Sequence, residues 1–364
     1  MAVNVVLAGG GTAGHVEPAL ALADALRAHD HSIVVTALGT SRGLEVRLVP
    51  ARGYQLDLIP AVPLPRTLSL DLLRVPGRLL EAVRRTGRHL QTRQADVVVG
   101  FGGYVSLPAY LAARRRRIPV VVHEANAKPG LANRIGARFA ARVAVTYDAS
   151  ALRGAVVTGV PIRRVIADLD RAAVRAQARE SFGLQADRPT LLVFGGSQGA
   201  RRINEALAAS ATAVVAAGAQ VLHATGLANF DAVRTAVGDI EHYVVVPYLE
   251  RMDLAYAAAD LALCRAGALT CAELTAVGLP AVFVPLPVGN GEQRLNAANV
   301  VEAGGGLLTT DAELDAHWIE SAVVPLLCDE VRLTEMSGAA RRFGRPDAAS
   351  ALMRLVLEAV GARR

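Results

Sequence analysis

The chain has 364 residues, more than one ordinary domain needs, and 52% are hydrophobic while only 4% are aromatic, which predicts two buried cores in a soluble α/β protein and excludes a disordered chain. A formal net charge of +6 is carried almost wholly by arginine, because Lys128 is the only lysine and Pro129 follows it; a P-loop, whose lysine directly follows the last loop glycine, is excluded. Without zinc-finger spacing, an aromatic-basic platform or a basic tail, no nucleic-acid partner is expected, and Cys264, Cys271 and Cys328 suggest no metal site or disulfide framework but reduced thiols in a cytosolic setting.

In chain order, "VNVVLA" (3–8), "SIVVTAL" (32–38), "DVVVG" (96–100), "PVVVH" (119–123) and "RVAVT" (142–146) are apolar throughout, as parallel strands buried on both faces are. The amino end has no basic stretch ahead of its apolar run, so no signal peptide is expected. "TGVPIR" (158–163) punctuates the pattern as a connector. A second series follows: "TLLVFGG" (190–196), "AQVLHAT" (219–225), "HYVVV" (242–246), "LALC" (261–264) and "PAVFVP" (280–285). The uncharged run from Ala206 to Phe230 is divided by Gly218 and contains Gln220, His223 and Asn229, so it reads as a helix and a strand rather than a membrane span. "AASALMRLVLEAV" (348–360) closes the chain as an amphipathic helix. The expectation is two doubly wound parallel sheets joined by a short linker, with a cleft between them.

Three glycine loops each follow a strand and can open a helix: "AGGGTAGHVEP" (8–18), "GFGGYVSLP" (100–108) and "GGSQGARRIN" (195–204). Glycine lets backbone N–H groups approach an anion, and a helix N-terminus adds a favourable dipole. The first loop has the G-x-G-x-x-G spacing of a dinucleotide site, but its second strand ends "VVTALGTSRG" without the ribose-binding acid. Only Arg42 offers a route to an NADP-like site, so an oxidoreductase is disfavoured. His15 is unusual at such a turn. The dipole at a helix start disfavours imidazolium, and a neutral imidazole accepts a proton from a hydroxyl; the alternative is that His15 only caps or packs.

"GGGTAGHVEPALALA", "GFGGYVSLPA", "HEANAKPGLANR", "GVPIR", "GGSQGARRIN", "CRAGALTCAEL" and "GNGEQRLNA" occur in that order, and together they resemble the MurG family over about residues 3 to 300. The resemblance implies a GT-B glycosyltransferase fold, two Rossmann-like parallel-sheet domains separated by a cleft. Residues 1–160 would form an acceptor and membrane-docking domain, 161–345 a UDP-GlcNAc-binding domain, and 346–364 a helix packing back on the first. It implies inverting transfer of N-acetylglucosamine from UDP-GlcNAc to the 4-hydroxyl of the muramyl sugar of lipid I, giving lipid II and UDP in peptidoglycan synthesis. No metal and no cofactor are implied. The partners implied are lipid I, UDP-GlcNAc, an anionic membrane surface and other cell-wall synthesis or division proteins, with the chain peripheral on the cytoplasmic face of the membrane.

Residue by residue, the resemblance implies donor contacts from Thr12, Ala13, Gly14, Asn126, Arg163, Ser197, Gln198, Gly199, Leu249, Ala268, Leu269, Thr270, Glu273 and Gln293. Of these, Ser197 and the amides after it would approach the pyrophosphate, Arg163 the leaving group, Glu273 the ribose and Gln293 the transferred sugar. Gly11, Gly102, Gly103, Tyr104, Ser106 and Asn133 would meet the acceptor. His15 is the first choice of base, with His123 and Glu124 second; the alternative for the latter two is a buried pair that positions the Asn126 loop. Ala13, an extra glycine before Thr12, Ala266 and Glu292 depart from the commonest family spelling, and Glu292 leaves a side-chain role there in doubt. In 68–90, Leu72, Leu73, Val75, Leu79 and Leu80 lie among Arg74, Arg78, Arg84, Arg85 and Arg88, a pattern suited to docking on anionic lipid or, alternatively, to an amphipathic helix covering the sheet. "RRRR" (114–117) adds charge. Other GT-B enzymes, such as a UDP-GlcNAc 2-epimerase or a glycolipid synthase, and a non-catalytic UDP-sugar-binding protein are the competing readings.

Overall fold

The structure, a computed structural model, describes residues 2–62, 71–148, 151–196 and 199–362, with the backbone alone at 71–74. The chain divides into two compact units, Met1–Arg163 with Pro346–Arg364, and Arg164–Arg345. The division falls after Arg163, not after residue 160. Val160 and Ile162 are buried, and the imidazole of His123 bonds the Gly159 carbonyl at 2.9 Å, so the connector belongs to the first unit.

The first sheet contains β1 (Asn4–Ala8), β2 (Val34–Gly39), β3 (Gln55–Leu58), β4 (Val97–Gly100), β5 (Val120–Glu124), β6 (Arg142–Val145) and β7 (Ala155–Val157). Their spatial order is β3-β2-β1-β4-β5-β6-β7 and every pair is parallel, with Val6 opposite Thr36 on one side and Val98 on the other. Valines dominate the central strands because a β-branched side chain suits a surface covered on both faces. One face packs Val5, Leu7 and Val97 against Leu22 and Leu26 of the helix Ala13–His29 and against Leu352, Leu355, Val356 and Val360 of the helix Ala348–Gly361. The other face packs Val6, Val98 and Val122 against Val83 and Leu90 of the helix Asp71–Thr92, and Val105, Ala109 and Tyr110 of the helix Gly103–Arg115.

The second sheet contains β8 (Thr190–Phe194), β9 (Gln220–Ala224), β10 (Tyr243–Val246), β11 (Leu261–Cys264), β12 (Ala281–Phe283) and β13 (Gly306–Leu308). It is parallel, in the order β10-β9-β8-β11-β12-β13. Leu191, Val193, Val221 and Leu263 share a core with Ile203, Leu207 and Val214 of the helix Arg201–Ala216. At the amino edge of this sheet, Asp260 receives Arg175, Arg179 at 2.8 Å and the Thr190 N–H at 2.8 Å. Arg171 bonds the carbonyls of Tyr256, Ala259 and Gly278. These arginines and Arg188 line a cavity of about 540 Å³. It lies at the far end of the strands from the glycine loops, and the guanidiniums of Arg171 and Arg179 are committed to carbonyls and to Asp260, which makes it a buttress.

Three strands escape a search for unbroken apolar runs. β3 and β7 are sheet edges whose side chains are exposed or half-buried apart from Asp57, and β13 has three residues, two of them half-buried. In both sheets the strand order reverses beside the first strand, between β1 and β4 and between β8 and β11. That reversal opens a crevice at the carboxyl ends of those strands, where the glycine loops lie.

Leu352 is fully buried in the first unit's core although it comes from the end of the chain. Leu352→Ala is expected to lower the unfolding free energy by roughly 3 kcal/mol through lost burial and the cavity left behind, measured by urea denaturation followed with a probe in the first unit.

Candidate active site

The loop after β1 turns into the helix Ala13–His29 through Thr12, the extended N-cap. The Thr12 hydroxyl does not cap the helix but lies 3.3 Å from His15 Nδ1. Gly11, exposed at φ +92°, has open space where a Cβ would stand. Ala13 and Gly14 follow, half-buried, in the first turn. Burial holds the His15 imidazole below its ordinary pKa, and the Glu124 carboxylate, the Gly10 carbonyl and Glu45 pull it partly back. A neutral ring at neutral pH is what proton acceptance requires.

The loop after β4 presses on this imidazole. Gly102 and Gly103 have φ of +93° and +76°. A Cβ on Gly102 would stand 3.3 Å from His15 Nε2, and one on Gly103 2.8 Å from the Gly10 carbonyl oxygen. Tyr104 is half-exposed beside them. Ser106 has no exposed surface; its hydroxyl accepts from the Gly102 N–H at 2.9 Å and faces the carbonyls of Ala8 and Gly102, each at 2.7 Å. Gly100 and Gly136 make room for the buried Tyr110 ring, whose hydroxyl donates to Asn133 Oδ1 at 2.7 Å.

At the end of β5, Glu124 is buried and accepts four N–H bonds, from the Asn126 backbone (3.0 Å) and side chain (3.3 Å), the Gly130 backbone (2.9 Å) and Asn133 Nδ2 (2.9 Å). Asn133 also donates to the His123 carbonyl at 3.1 Å. His123 stacks at a tilt on Phe101, with centroids 5.4 Å apart, and burial pushes its imidazole down to about 4. Two groups expected at the acceptor, Ser106 and Asn133, are thus turned inward and hold loop backbone. The same is true of the two second-choice bases, since Glu124 organises residues 126–133 and His123 anchors Gly159.

One anchor of the first loop carries no motif in the sequence. Glu45, fully buried at the start of the helix Glu45–Ala51, accepts from the Gly11 N–H at 2.9 Å, the Thr40 N–H at 2.7 Å and the Thr40 hydroxyl at 3.0 Å. Gly10, Gly39 and Gly43 close around it, and a Cβ on Gly43 would stand 1.9 Å from its carboxylate. An acid does follow the second strand, but it faces the loop backbone and not a ribose. Its only signal in the sequence is the pair of glycines at 39 and 43.

In the second unit, Ser197 and Gln198 lie outside the described residues. Gly199 has φ +75°, and a Cβ there would collide with the Thr225 carbonyl oxygen at 2.1 Å. After β11, Gly267 is the extended N-cap of the helix Ala268–Val277, which has no side-chain cap; Ala268, Leu269 and Thr270 are its first turn. Glu273 is buried in the next turn and accepts from the Tyr256 hydroxyl at 2.7 Å. Arg265 joins Asp311 and the Val284 carbonyl, tying the ends of β11 and β12 together. Leu249 is buried, and Gln293 Oε1 accepts from the Leu286 N–H at 3.0 Å. Arg163 is half-buried at the end of the first unit. Cys264 and Cys271 are buried with thiols pushed up by desolvation, Cys271 to about 12, which rules them out as thiolate nucleophiles at neutral pH. Among the described residues no group of three or more His, Cys, Asp or Glu is placed to hold a metal ion.

On the helix Asp71–Thr92 the side chains of Leu72, Leu73 and Arg74 lie outside the described residues. Val75 is half-buried, Leu80 is exposed, and Leu79 packs against the core that contains Val83 and Leu90. Leu79 therefore belongs to the sheet-covering face and not to an outward patch. Arg78, Arg84, Arg85 and Arg88 are exposed, as are Arg114 to Arg117. No helix among the described residues is long and apolar enough to cross a membrane.

The N-terminal domain model of glycosyltransferase family 28 matches residues 5–145, and the C-terminal domain model of the same family matches 190–352. A Streptomyces avermitilis protein described as UDP-N-acetylglucosamine--N-acetylmuramyl-(pentapeptide) pyrophosphoryl-undecaprenol N-acetylglucosamine transferase is 60% identical over 361 residues, 99% of each chain. The crystal structure of Acinetobacter baumannii MurG superposes with a TM-score of 0.76 at 30% identity, covering 98% of this chain and 99% of that one. A Neisseria meningitidis UDP-GlcNAc 2-epimerase, covering 98% and 100%, gives 0.68 at 15% identity, a likeness of fold alone. The two parallel-sheet units are those of a GT-B glycosyltransferase, and the chain belongs to the MurG family within glycosyltransferase family 28.

Because Glu45 accepts from the Gly11 N–H and from both the N–H and the hydroxyl of buried Thr40, Glu45→Ala leaves the buried Thr40 donors without that acceptor. It is expected to destabilise the first unit by about 3 kcal/mol, read from the urea midpoint. An unchanged midpoint would show that the first loop is supported elsewhere.

Proposed function

We propose that the chain transfers N-acetylglucosamine from UDP-N-acetylglucosamine to the undecaprenyl-pyrophosphoryl-linked muramyl pentapeptide, the reaction named for its relative. The observation that carries this reading is identity sustained from end to end, 60% across 99% of both chains. The first unit supplies the base and the acceptor contacts, and the second binds the donor.

In this reading the muramyl 4-hydroxyl attacks the anomeric carbon from the face opposite the diphosphate. The new glycosidic bond forms as the bond to UDP breaks, the configuration inverts, and the hydroxyl proton passes to neutral His15. Thr12 and the two glycines of the second loop hold the imidazole in place. Charge developing on the leaving diphosphate is met by N–H groups of the loop before the helix Arg201–Ala216, by the uncapped start of the helix Ala268–Val277 and by Arg163. Glu273, with Tyr256 fixing one carboxylate oxygen, receives the ribose hydroxyls, and Gln293 the sugar. Gly11, Gly102, Gly103 and Tyr104 face the acceptor, while Glu124, Asn133 and Ser106 support them. The exposed arginines of 78–88 and 114–117 dock the protein on anionic lipid at the cytoplasmic face of the membrane.

Labelled UDP-GlcNAc offered with a short-chain analogue of the lipid acceptor is expected to give the disaccharide product, with turnover persisting in EDTA; absence of transfer by folded protein would overturn the reading. His15→Ala is expected to lower kcat by about 10²–10⁴-fold while donor affinity holds. Since burial disfavours the imidazolium, the acid limb of the wild-type kcat/KM profile should fall at a midpoint below the ordinary histidine value of 6.5. Binding to anionic vesicles is expected to weaken with salt; indifference to both salt and lipid charge would remove the docking role.

A further inference from the structure

Beneath the donor loop of the second unit lies a buried polar chain that the mechanism above does not use. His223 stands in the middle of β9, opposite Val193 of β8 and Val245 of β10, with no exposed surface. Its Nδ1 lies 2.9 Å from the Tyr243 hydroxyl and its Nε2 3.0 Å from Asn204 Oδ1. Asn204 Nδ2 in turn donates to the Thr225 carbonyl at 3.0 Å. All three side chains are more than nine-tenths buried.

The direction of each bond follows from chemistry. A carbonyl only accepts, so the Asn204 amide nitrogen must face Thr225 and its oxygen must face His223. An amide oxygen also only accepts, so His223 Nε2 carries the hydrogen. In a neutral ring Nδ1 then has a lone pair, and the Tyr243 hydroxyl donates to it. Desolvation drives the imidazole down to about 3, so the ring is neutral at any working pH. The chain runs one way: Tyr243 O–H to His223, His223 N–H to Asn204, Asn204 N–H to Thr225.

The last acceptor touches the loop. The Thr225 carbonyl oxygen stands within clashing distance of where a Cβ of Gly199 would be, and Asn229 Nδ2 reaches the same oxygen at 3.3 Å. Gly199 closes a turn on the Gly196 carbonyl, and the Asn204 backbone N–H bonds the Ala200 carbonyl. Asn204 therefore fixes both the first turn of the helix and the carbonyl on which the loop rests. We infer that Tyr243, His223 and Asn204 are positioning residues for nucleotide-diphosphate binding, acting through Thr225 and Gly199. The inference rests on the reading of 195–204 as the donor loop.

The experiment reads the loop and the donor separately. Asn204→Asp keeps the shape but turns an acceptor toward the Thr225 carbonyl; Tyr243→Phe removes only the first donor. Leu207→Ala, in the same core, is the control for lost stability. Amide hydrogen exchange across 195–201 is expected to quicken about tenfold in Asn204→Asp, less in Tyr243→Phe, and not in the control. The KM for UDP-GlcNAc should rise about tenfold in Asn204→Asp with the acceptor KM unchanged. Unaltered exchange in Asn204→Asp overturns the inference whether or not the wild type uses UDP-GlcNAc. Faster exchange with an unaltered donor KM overturns it as well. Faster exchange in Asn204→Asp, where the wild type neither binds nor turns over UDP-GlcNAc, upholds the seat and overturns the donor reading instead.

Discussion

The carboxylate of Glu45 sits out of solvent with three donors from Gly11 and Thr40 upon it, and glycines at 10, 39 and 43 let the backbone come that close. Removing a carboxylate from water is tolerable only when its lone pairs are met. The same bargain recurs along the carboxyl edges of both sheets. Ser106 holds the loop after β4, Glu124 the loop after β5, and Asn204 the carbonyl under Gly199. In each case a loop at the carboxyl end of a strand is fixed from beneath by a buried polar side chain bonded to its backbone or to the carbonyl beneath it.

This arrangement separates two tasks that a glycine loop otherwise confuses. Positive φ and a missing Cβ allow close approach, but they also leave the unfolded chain more freedom to lose. The buried anchors restore order without occupying the exposed face. His15 benefits most, with Gly102 and Gly103 against its ring and Thr12 at Nδ1. Burial keeps its pKa below the ordinary histidine value, although the residue as a whole is only half-buried. His123 and His223 show the other outcome: deeper burial makes an imidazole a structural hydrogen-bonding group.

The central strands are legible in the sequence because strands covered on both faces must be apolar without interruption. β3 and β7 are not, because an edge strand keeps one side in water and its pattern merges with that of loops. The glycine loops and their strand–turn–helix setting are legible because few residues other than glycine tolerate those angles. The inward turn of Ser106 and Asn133 is not legible, because serine and asparagine have the same spelling whether they face a ligand or the backbone; for His123 and Glu124 a buried pair that positions the Asn126 loop is one of the two readings the sequence leaves open, and Glu124 takes it. Glu45 is hidden more thoroughly: in "GLEVRLVPARG" a glutamate among apolar residues and arginines reads as solvated helix. The acid missing from the second strand does count against a dinucleotide, although an acid stands nearby, because what matters is where its carboxylate points.

The first unit is discontinuous, leaving off at Arg163 and resuming at Pro346, with the second inserted between. This sets an order of assembly on the ribosome. The second unit is contiguous and has its whole core once residue 345 has emerged. The first has all its strands long before, but the helix bearing Leu352, Leu355, Val356 and Val360 is synthesised last. Until then part of one face of its sheet lacks its cover, the helix Ala13–His29 covering the rest, so the unit translated first is the one completed last, an inversion of the usual amino-to-carboxyl sequence of domain folding. Nascent chains stalled short of residue 348 would carry that uncovered valine- and leucine-rich surface, which is the kind of surface that holding chaperones take up.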